Sequence, residues 1–527
     1  MKMQDNLFRL RTRLKLSQAE FAEQVGVTQQ TVQKWESGSA SPSLEKLILL
    51  AKKYGLTLDA LVLGADARVT EETVRPQKVI LPLYEQIPPG DLYCEQLRVE
   101  LLQSEEEGLD LSGYAAVFEA VAGMPRGNEK KRMADLLFEI VRNAPMRKDY
   151  PYVEPSGLAQ IRELAEPYPL PLPLPDKKTL SGKILGAWMG RVCGCLLGKA
   201  VEGVRTDELI PFLKQSGNYP LHRYIVSDDI LPEKTARFSY RFYGHGSVDV
   251  WKRMPWDDDT NYTILYQELI RKFGRDFTPA DILKFWLEKQ PKNSYCTAER
   301  VAFCNAVNGY FPPDSACYQN PFREWIGAQI RADYFGYINP GDPDTAAEMA
   351  FRDASISHVK NGIYGEMFVA AMIAAAASCD DTEKIIRAGL ARIPATSRLF
   401  EKITTVLRNY REGTSGPDCF ASIHRIYDEH RSHDWCHTIP NAMIVVASLL
   451  YGKNDFGRSI CMAVEAGFDT DCNGATVGSI LGMKNGIAHI GEEWTGPLND
   501  TLETTVFGVG TVRISERAAM TMEQIRI

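Results

Sequence analysis

The first part of the chain alternates apolar and polar positions with helical spacing. Residues 17–36 read SQAEFAEQVGVTQQTVQKWE, and their apolar residues recur at one-face intervals on both sides of Gly26. Ser17 and Glu20 have the spacing of a capping box, and Thr28 can cap the second run. The pattern predicts two short helices joined by a tight turn.

Two later stretches place glycine at every fourth position, so each predicts a helix with a bare ridge along one face. These glycines are Gly186, Gly190, Gly194 and Gly198 in the first stretch and Gly474, Gly478, Gly482 and Gly486 in the second. Glycine costs about 1 kcal/mol per helical position relative to alanine, which close packing must offset. Because Arg191, Lys199 and Lys484 interrupt the stretches, we expect close helix contact in a soluble bundle rather than a membrane dimer.

The organisation of the chain follows from two changes in pattern, near residues 65 and 178. The stretch YPLPLPLPD at 168–176 alternates proline with leucine and is expected to be extended. Helical spacing returns at 114–124 and 130–143, and 149–158 has the character of a loop before a short helix. We therefore predict a small N-terminal domain, a helical connecting region and a large C-terminal domain, at residues 1–65, 66–178 and 179–527.

Composition narrows the class of protein. Of 527 residues, 44% are apolar and 24% charged, which excludes wholesale disorder. The apolar run 367–377 is too short to span a bilayer, and the N-terminal residues have no signal-peptide core. Eleven cysteines without a CxxC pair are expected to be reduced thiols in a cytoplasm.

Charge separates the N-terminal segment from the rest. The whole chain has a net charge of −8, whereas residues 1–64 hold nine Lys or Arg against six Asp or Glu. Glutamine near the start of an exposed helix can hydrogen-bond adenine in the major groove. The segment to Gly64 resembles the helix-turn-helix of phage-repressor and XRE-type regulators, which implies DNA binding and, from their usual symmetry, a homodimer. The expected DNA-facing residues are Gln18, Gln29, Gln30, Thr31 and Lys34.

Two acidic clusters precede apolar helical stretches. Asp257, Asp258 and Asp259 are consecutive in PWDDDTNYTILY, and Asp469 and Asp471 stand just before the second glycine-ridged helix. A helix dipole favours carboxylates there, which is the simpler explanation. Consecutive aspartates beside apolar residues nevertheless repel one another and call for a cation. Hard oxygen ligands match Mg²⁺ or Mn²⁺, as two ions.

Three blocks of the sequence resemble the ADP-ribosylglycohydrolase family. GCLLGKAVE (194–202), DDDT (257–260) and GFDTDCNGATVGSILG (467–482) are similar to the family patterns GDALGxxxE, TDDT and GGDTDT followed by a glycine-rich helix. The resemblance covers roughly residues 180–527, and the region with DYPYVEPSGL resembles an extension of one bacterial branch. It implies an all-α bundle around two metal ions.

The resemblance also implies roles for individual residues. Asp258 and Asp259 match the first pair of metal-binding carboxylates, and Asp469 and Asp471 match the second pair. Glu202 matches the acidic residue near the scissile bond and is the expected catalytic residue, although an ordinary helix-end glutamate is the simpler explanation.

The chain departs from the family blocks at three positions. Asp257 replaces a threonine, Cys472 replaces a ligating threonine, and Cys195 replaces the aspartate of the first block. Asp257 can still ligate, whereas Cys472 is a soft donor that either ligates or only packs nearby. Cys193 and Cys195 are expected to pack, since no second pair has zinc spacing. The candidate metal ligands are thus Asp257, Asp258, Asp259, Asp469, Asp471 and Cys472.

The middle of the large domain offers candidate substrate contacts. Segment 323–343 contains Gly327 and is rich in glycine and aromatic residues, so its backbone donors could cradle a nucleotide-like ligand. Ser357 and His358 occupy the place where the family often has a TH pair near the substrate. A satisfied structural histidine is the alternative for His358, and we expect His437 to be structural.

The resulting hypothesis is a cytoplasmic, metal-dependent glycohydrolase fused to a DNA-binding module. The resemblance implies that its substrate is an ADP-ribosyl conjugate or a related nucleoside-type compound. Two alternatives remain: a regulator whose acidic domain binds such a ligand without turnover, and an enzyme whose N-terminal module serves only assembly.

Overall fold

The computed structural model of the chain describes residues 3–62, 64, 80–169, 172–242 and 246–526. The described chain is α-helical, with one short antiparallel ribbon of β1 (Thr501–Leu502) and β2 (Val512–Arg513). Thr501 pairs with Arg513 and Leu502 with Val512. The predicted all-α class is confirmed. Within the described residues, no helix is both long and apolar enough to cross a membrane.

The chain forms two compact units, Met1–Pro82 and Leu83–Ile527. The helices of the first unit are α1 (Met3–Arg13), α2 (Gln18–Val25), α3 (Gln29–Ser37), α4 (Leu44–Tyr54) and α5 (Leu58–Val62). Ser17 and Glu20 form the expected capping box, and Thr28 caps α3. Gly26 has φ 67° and ends α2, a conformation that favours glycine.

The second unit begins with helices of the region we described as connecting. These are α6 (Leu97–Glu106), α7 (Ala115–Ala122), α8 (Asn128–Asn143) and α9 (Leu158–Glu163). Buried ion pairs join this region to the large domain: Arg323 contacts Glu100 at 2.8 Å and Glu107 at 2.5 Å, and Arg398 contacts Glu154 at 2.9 Å. Residues 83–178 are therefore part of one compact body with the large domain, and the boundary near residue 65 lies beside residues outside the described ranges.

The remaining helices build the large domain around an extended apolar core, beside a smaller apolar cluster that contains Phe322 and Trp325. They are α10 (Lys177–Lys199), α11 (Thr206–Gln215), α12 (Pro232–Thr235), α13 (Val248–Trp251), α14 (Asp258–Phe273), α15 (Pro279–Lys289), α16 (Thr297–Val307), α17 (Asp314–Cys317), α18 (Asp333–Tyr337), α19 (Pro343–Ala354), α20 (Lys360–Ala376), α21 (Thr382–Leu390), α22 (Arg398–Arg411), α23 (Gly416–Ile426), α24 (Ser432–Cys436), α25 (Thr438–Tyr451), α26 (Phe456–Glu465), α27 (Thr470–Asn485), α28 (Glu492–Thr495) and α29 (Ile514–Gln524).

The two glycine ridges pack directly against each other. A Cβ atom added to Gly190 would overlap the carbonyl of Gly478, and one added to Gly478 would overlap the carbonyl of Gly190. Gly194 and Gly474 face each other in the same way. This backbone contact between α10 and α27 confirms the expected close helix packing and fixes the C-terminal end of α10 beside the N-terminal end of α27. Gly486 differs from the prediction, because it ends α27 at φ 79° instead of continuing the ridge.

Candidate functional site

The ridge contact brings the two acidic loops to one place. Asp469 occupies the N-cap position of α27 without a side-chain capping bond, and Asp257 caps α14 by accepting the backbone N–H of Asp259 at 3.0 Å. Thr470 Oγ1 donates to the carbonyl of Gly198 at 3.0 Å, which ties the start of α27 to the end of α10. The clusters expected to meet do meet.

The potential ligand atoms fall into two groups that share one aspartate. The first group consists of Cys195, Asp257, Asp259 and Asp471, and the second of Asp469, Asp471 and Cys472. Within each group, the ligand atoms lie within 4.8 Å of one another. Cys195 was expected only to pack, but its thiol lies among these carboxylates. Cys193 does pack, since it is buried and donates to the carbonyl of Trp494 at 3.4 Å.

The carboxylates fit a cation because they are buried and some of their oxygens have no hydrogen-bond partner. Asp259 and Asp471 are 0% and 2% exposed. Oδ2 of Asp259 and Oδ1 of Asp471 are buried oxygens without a hydrogen-bond partner in the described part of the chain. Buried polar atoms normally have partners, so such a pair beside further carboxylates is expected where an ion binds. Asp258 is half-buried beside this cluster.

Two cationic side chains that the sequence did not assign to the site already neutralise part of it. Lys199 Nζ lies 2.7 Å from Asp257 Oδ2. The buried guanidinium of Arg191 lies 2.7 Å from Asp333 and 3.1 Å from Asp259. The only sequence signal was that both basic residues interrupt an otherwise small and apolar helix. Asp257 therefore already pairs with Lys199 and caps α14 before any ligand binds.

The pKa values follow this distribution of charge. Burial, together with Asp257 and Asp471, raises the pKa of Asp258 to about 7. Burial and Asp257 raise the pKa of Asp471 to about 6, and burial also raises the pKa values of Asp259 and Asp469. The pKa of Asp257 is lowered: burial opposes ionisation, but Lys199 outweighs it. Without a cation the cluster therefore retains protons near neutral pH.

Glu202 stands at the edge of the acidic cluster, three residues beyond the end of α10. It is half-buried, and the hydroxyl of Tyr240 donates to its backbone carbonyl at 2.5 Å. The negative charge of Asp471, followed by burial, raises the pKa of Glu202 well above its ordinary value. The side chain is thus electrostatically part of the cluster but belongs to neither ligand group.

The expected substrate residues lie around a buried arginine. Arg331 contacts Glu299 and Asp353, each at 2.7 Å, and donates to Ser357 Oγ at 3.0 Å. Ser357 bonds His358 Nδ1 at 2.8 Å, and both residues are 0% exposed. Burial and then Arg331 lower the pKa of His358 well below its ordinary value, so the ring is neutral.

Ser357 and His358 are therefore buried members of the hydrogen-bonded group around Arg331. Their contact with substrate stays a prediction. Gly327 is also buried, and an added Cβ would overlap the Glu299 carboxylate. It stands where the backbone passes close to that carboxylate. Binding of a nucleotide-like ligand by its segment likewise stays a prediction.

A third group of potential metal ligands contains two histidines. Ligand atoms of Glu106, His433 and His437 lie within 4.8 Å of one another. Nδ1 of His433 accepts from Trp325 Nε1 at 3.2 Å, and Nε2 of the same ring is hydrogen-bonded to Glu106 at 3.2 Å, so both of its nitrogens are engaged. Nδ1 of His437 accepts from the backbone N–H of Ile439 at 3.2 Å, whereas its buried Nε2 lies 3.9 Å from Glu106 and has no hydrogen-bond partner among the described residues. The structural role of His437 stays a prediction.

In the first unit, α3 presents the expected polar face. Gln29, Gln30 and Lys34 are exposed, and Thr31 is half-buried and bonds Thr28 at 2.8 Å. Gln18 is already engaged, because its amide donates to Glu36 at 2.7 Å. The exposed amides near the start of α3 are the ones free to reach base edges.

The fold and the paired acidic loops define a helical hydrolase-type domain fused to a helix-turn-helix domain. Residues 176–523 match the model of the ADP-ribosylglycohydrolase family, and residues 7–61 match the helix-turn-helix model. The chain belongs to the ADP-ribosylglycohydrolase family.

Similar proteins include a transcriptional activator and a solved structure. The chain is 36% identical over 73 residues to the HTH-type transcriptional activator BcrR of Enterococcus faecalis, which covers 14% of this chain and 36% of that protein. It therefore spans about a third of that relative's length. A solved ADP-ribosylglycohydrolase-related protein complex is similar over 66% of this chain and 98% of its own, with 18% identity and a TM-score of 0.42.

Proposed function

We propose that the large domain is a divalent-cation-dependent glycohydrolase that cleaves a ribosyl glycosidic bond in an ADP-ribosyl conjugate or a related nucleoside-type compound. The observation that carries this proposal is the meeting of two acidic loops around the unpartnered buried oxygens of Asp259 and Asp471. The family match supports hydrolysis at a glycosidic bond.

The residues proposed to hold the cations are the two ligand groups together with Asp258. A divalent cation, expected from the sequence as a pair of Mg²⁺ or Mn²⁺ ions, would supply Lewis acidity that orients ribose hydroxyls and lowers the pKa of water. Arg191 keeps Asp259 in place through a 3.1 Å ion pair, so this carboxylate is held rigid before any ligand arrives.

Glu202 is proposed to move the proton. The charge of Asp471 and then burial raise the pKa of Glu202, which favours its protonated form. Neutralisation of Asp471 would lower the Glu202 pKa, so that the carboxyl releases its proton more readily. Its position outside the ligand groups leaves its carboxylate available for that task.

The test is turnover of ADP-ribosylated proteins, ADP-ribosyl small molecules and nucleosides by the full chain with Mg²⁺ or Mn²⁺. Asp471→Asn should lower kcat by orders of magnitude, because each 1.4 kcal/mol of lost transition-state stabilisation is about tenfold in rate. Asp380→Asn is the matched control, since that carboxylate is 93% exposed and removes the same charge at the surface. Equal turnover in both variants would contradict the proposed site.

We also propose that the first unit binds duplex DNA as a cytoplasmic homodimer. The exposed Gln30 near the start of α3 supports base contact, and its change to alanine should cost about 1–3 kcal/mol at one preferred sequence. Non-specific affinity should fall steeply with salt and respond little to that change. Equal loss on all sequences would show that Gln30 reads no base.

A regulator that binds the ligand without turning it over is the second candidate. The helix-turn-helix match and the Lys199 ion pair, which stabilises Asp257 without a cation, favour it. In this case the protein would bind ADP-ribose tightly, hydrolyse nothing in the substrate panel, and change its affinity for DNA when the ligand is added. Turnover with unchanged DNA affinity would exclude it.

A further inference from the structure

Each half of the candidate cation site contains a thiol. Cys195 belongs to the first ligand group, Cys472 belongs to the second, and Asp471 is shared by both. The two cysteines are 0% and 5% exposed. Both cysteines border the apolar core, and their sulfur atoms lie within the same 4.8 Å limit as the carboxylate oxygens, which places them at possible ligand positions.

The surroundings of these thiols are polar on the side of the acidic loops. Cys195 lies beside Asp257, Asp259 and Asp471, and Cys472 lies beside Asp469 and Asp471. A cysteine that only fills space normally sits among apolar groups as a small hydrophobic residue. The unpartnered buried oxygens of Asp259 and Asp471 are a separate sign that these sets are incomplete without a ligand. Thiols and orphaned oxygens therefore converge on the same position.

We propose that this chain selects a thiophilic divalent ion of the Zn²⁺ class over Mg²⁺, with Cys195 and Cys472 as sulfur ligands. The inference rests on the proposed cation site and concerns the identity of its ion. Mg²⁺ takes oxygen ligands in octahedral geometry, whereas thiolates bind borderline and soft ions. On binding, each S–H bond breaks, a sulfur–metal bond forms, and the proton passes to solvent.

The first test uses Co²⁺ as an optical probe of the full-length protein. Thiolate ligation gives an intense sulfur-to-cobalt charge-transfer band in the near ultraviolet, which an all-oxygen site lacks. The wild type should show this band, and C195D/C472T, which supplies oxygen donors instead, should lose it. Cys419→Ala is the matched control, because that cysteine is also buried but lies in neither group, and it should keep the band. A wild-type cobalt complex without the band would overturn the proposal, whether or not the variants fold.

The second test measures selectivity by calorimetry. Even oxygen sites bind Zn²⁺ more tightly than Mg²⁺, so the ratio of the two affinities is compared between proteins. C195D/C472T should lower the Zn²⁺-to-Mg²⁺ ratio at least about tenfold. Wild type should also release protons on binding Zn²⁺, and the variant should release fewer.

The outcomes separate this inference from the proposed function. An unchanged affinity ratio, with turnover supported by Mg²⁺, would overturn sulfur ligation and leave the glycohydrolase proposal standing. The charge-transfer band in a protein that turns over no substrate would establish sulfur ligation and count against the enzyme. Absence of any bound divalent ion would overturn both the sulfur ligation and the cation-dependent mechanism.

Discussion

The contact between α10 and α27 makes a sharp prediction about stability. Gly478→Ala adds one methyl group where the backbone of Gly190 already lies, and the reciprocal overlap shows that neither carbonyl can move aside alone. Alanine should gain about 1 kcal/mol over glycine as a helix former. Forcing two packed helices apart costs about 1–3 kcal/mol or more, and here the obstacle is backbone rather than a flexible side chain. We therefore expect a net loss of about 2 kcal/mol.

The control lies on the same helix. Gly182 belongs to α10, but an added Cβ meets nothing within 4 Å. Gly182→Ala should then show only the propensity gain and stabilise the protein by up to about 1 kcal/mol. Urea unfolding followed by near-ultraviolet circular dichroism, with the transition of the first unit separated, measures both variants. If Gly478→Ala is as stable as Gly182→Ala, the ridge packing is wrong.

The remaining predictions concern the charges of the site. Glu202→Gln should leave calorimetric cation binding largely intact while lowering kcat by at least about tenfold, and a parallel loss of binding would make it a ligand instead. When a chelator has removed divalent cations, the free energy of unfolding should fall as pH rises from about 4 to 7, because the raised pKa values of Asp258 and Asp471 make the folded protein bind protons more tightly than the unfolded chain. An unfolding free energy that does not change between pH 5 and 8 would contradict this. Lys199→Met should destabilise the protein by about 3–5 kcal/mol by leaving Asp257 buried and unpaired, and adding Asp257→Thr should recover most of that loss in urea unfolding.

The sequence pattern predicted the helix starts that depend on contacts between residues close in the chain. Ser17, Glu20 and Thr28 cap the helices that their spacing indicated, because capping depends on residues three apart. Asp257 caps α14 in a similar way, by a local bond to the backbone N–H of Asp259. The sequence did not predict which helix packs against α10. A glycine every four residues indicates close packing on that face, but it does not show that the neighbour is α27.

Ion pairs between residues far apart in the chain could not be predicted from the sequence for a related reason. Arg191 binds aspartates 68 and 142 residues away, and Arg323 binds Glu100, 223 residues away. No periodicity reports on such pairs, since periodicity describes one element at a time. The ion pair of Arg323 with Glu100 joins residues 83–178 to the large domain, and no local pattern indicated it.

The three positions that depart from the family blocks lie together in the folded protein. Cys195, Asp257 and Cys472 are scattered over the sequence, yet all three lie in the two ligand groups that share Asp471. Asp257 adds a negative charge, and Lys199 at 2.7 Å cancels it within the protein. The added carboxylate therefore does not raise the net charge presented to a cation. What changes is the donor chemistry, because two positions now offer sulfur, and this links the three substitutions as one alteration of the ion that the site accepts.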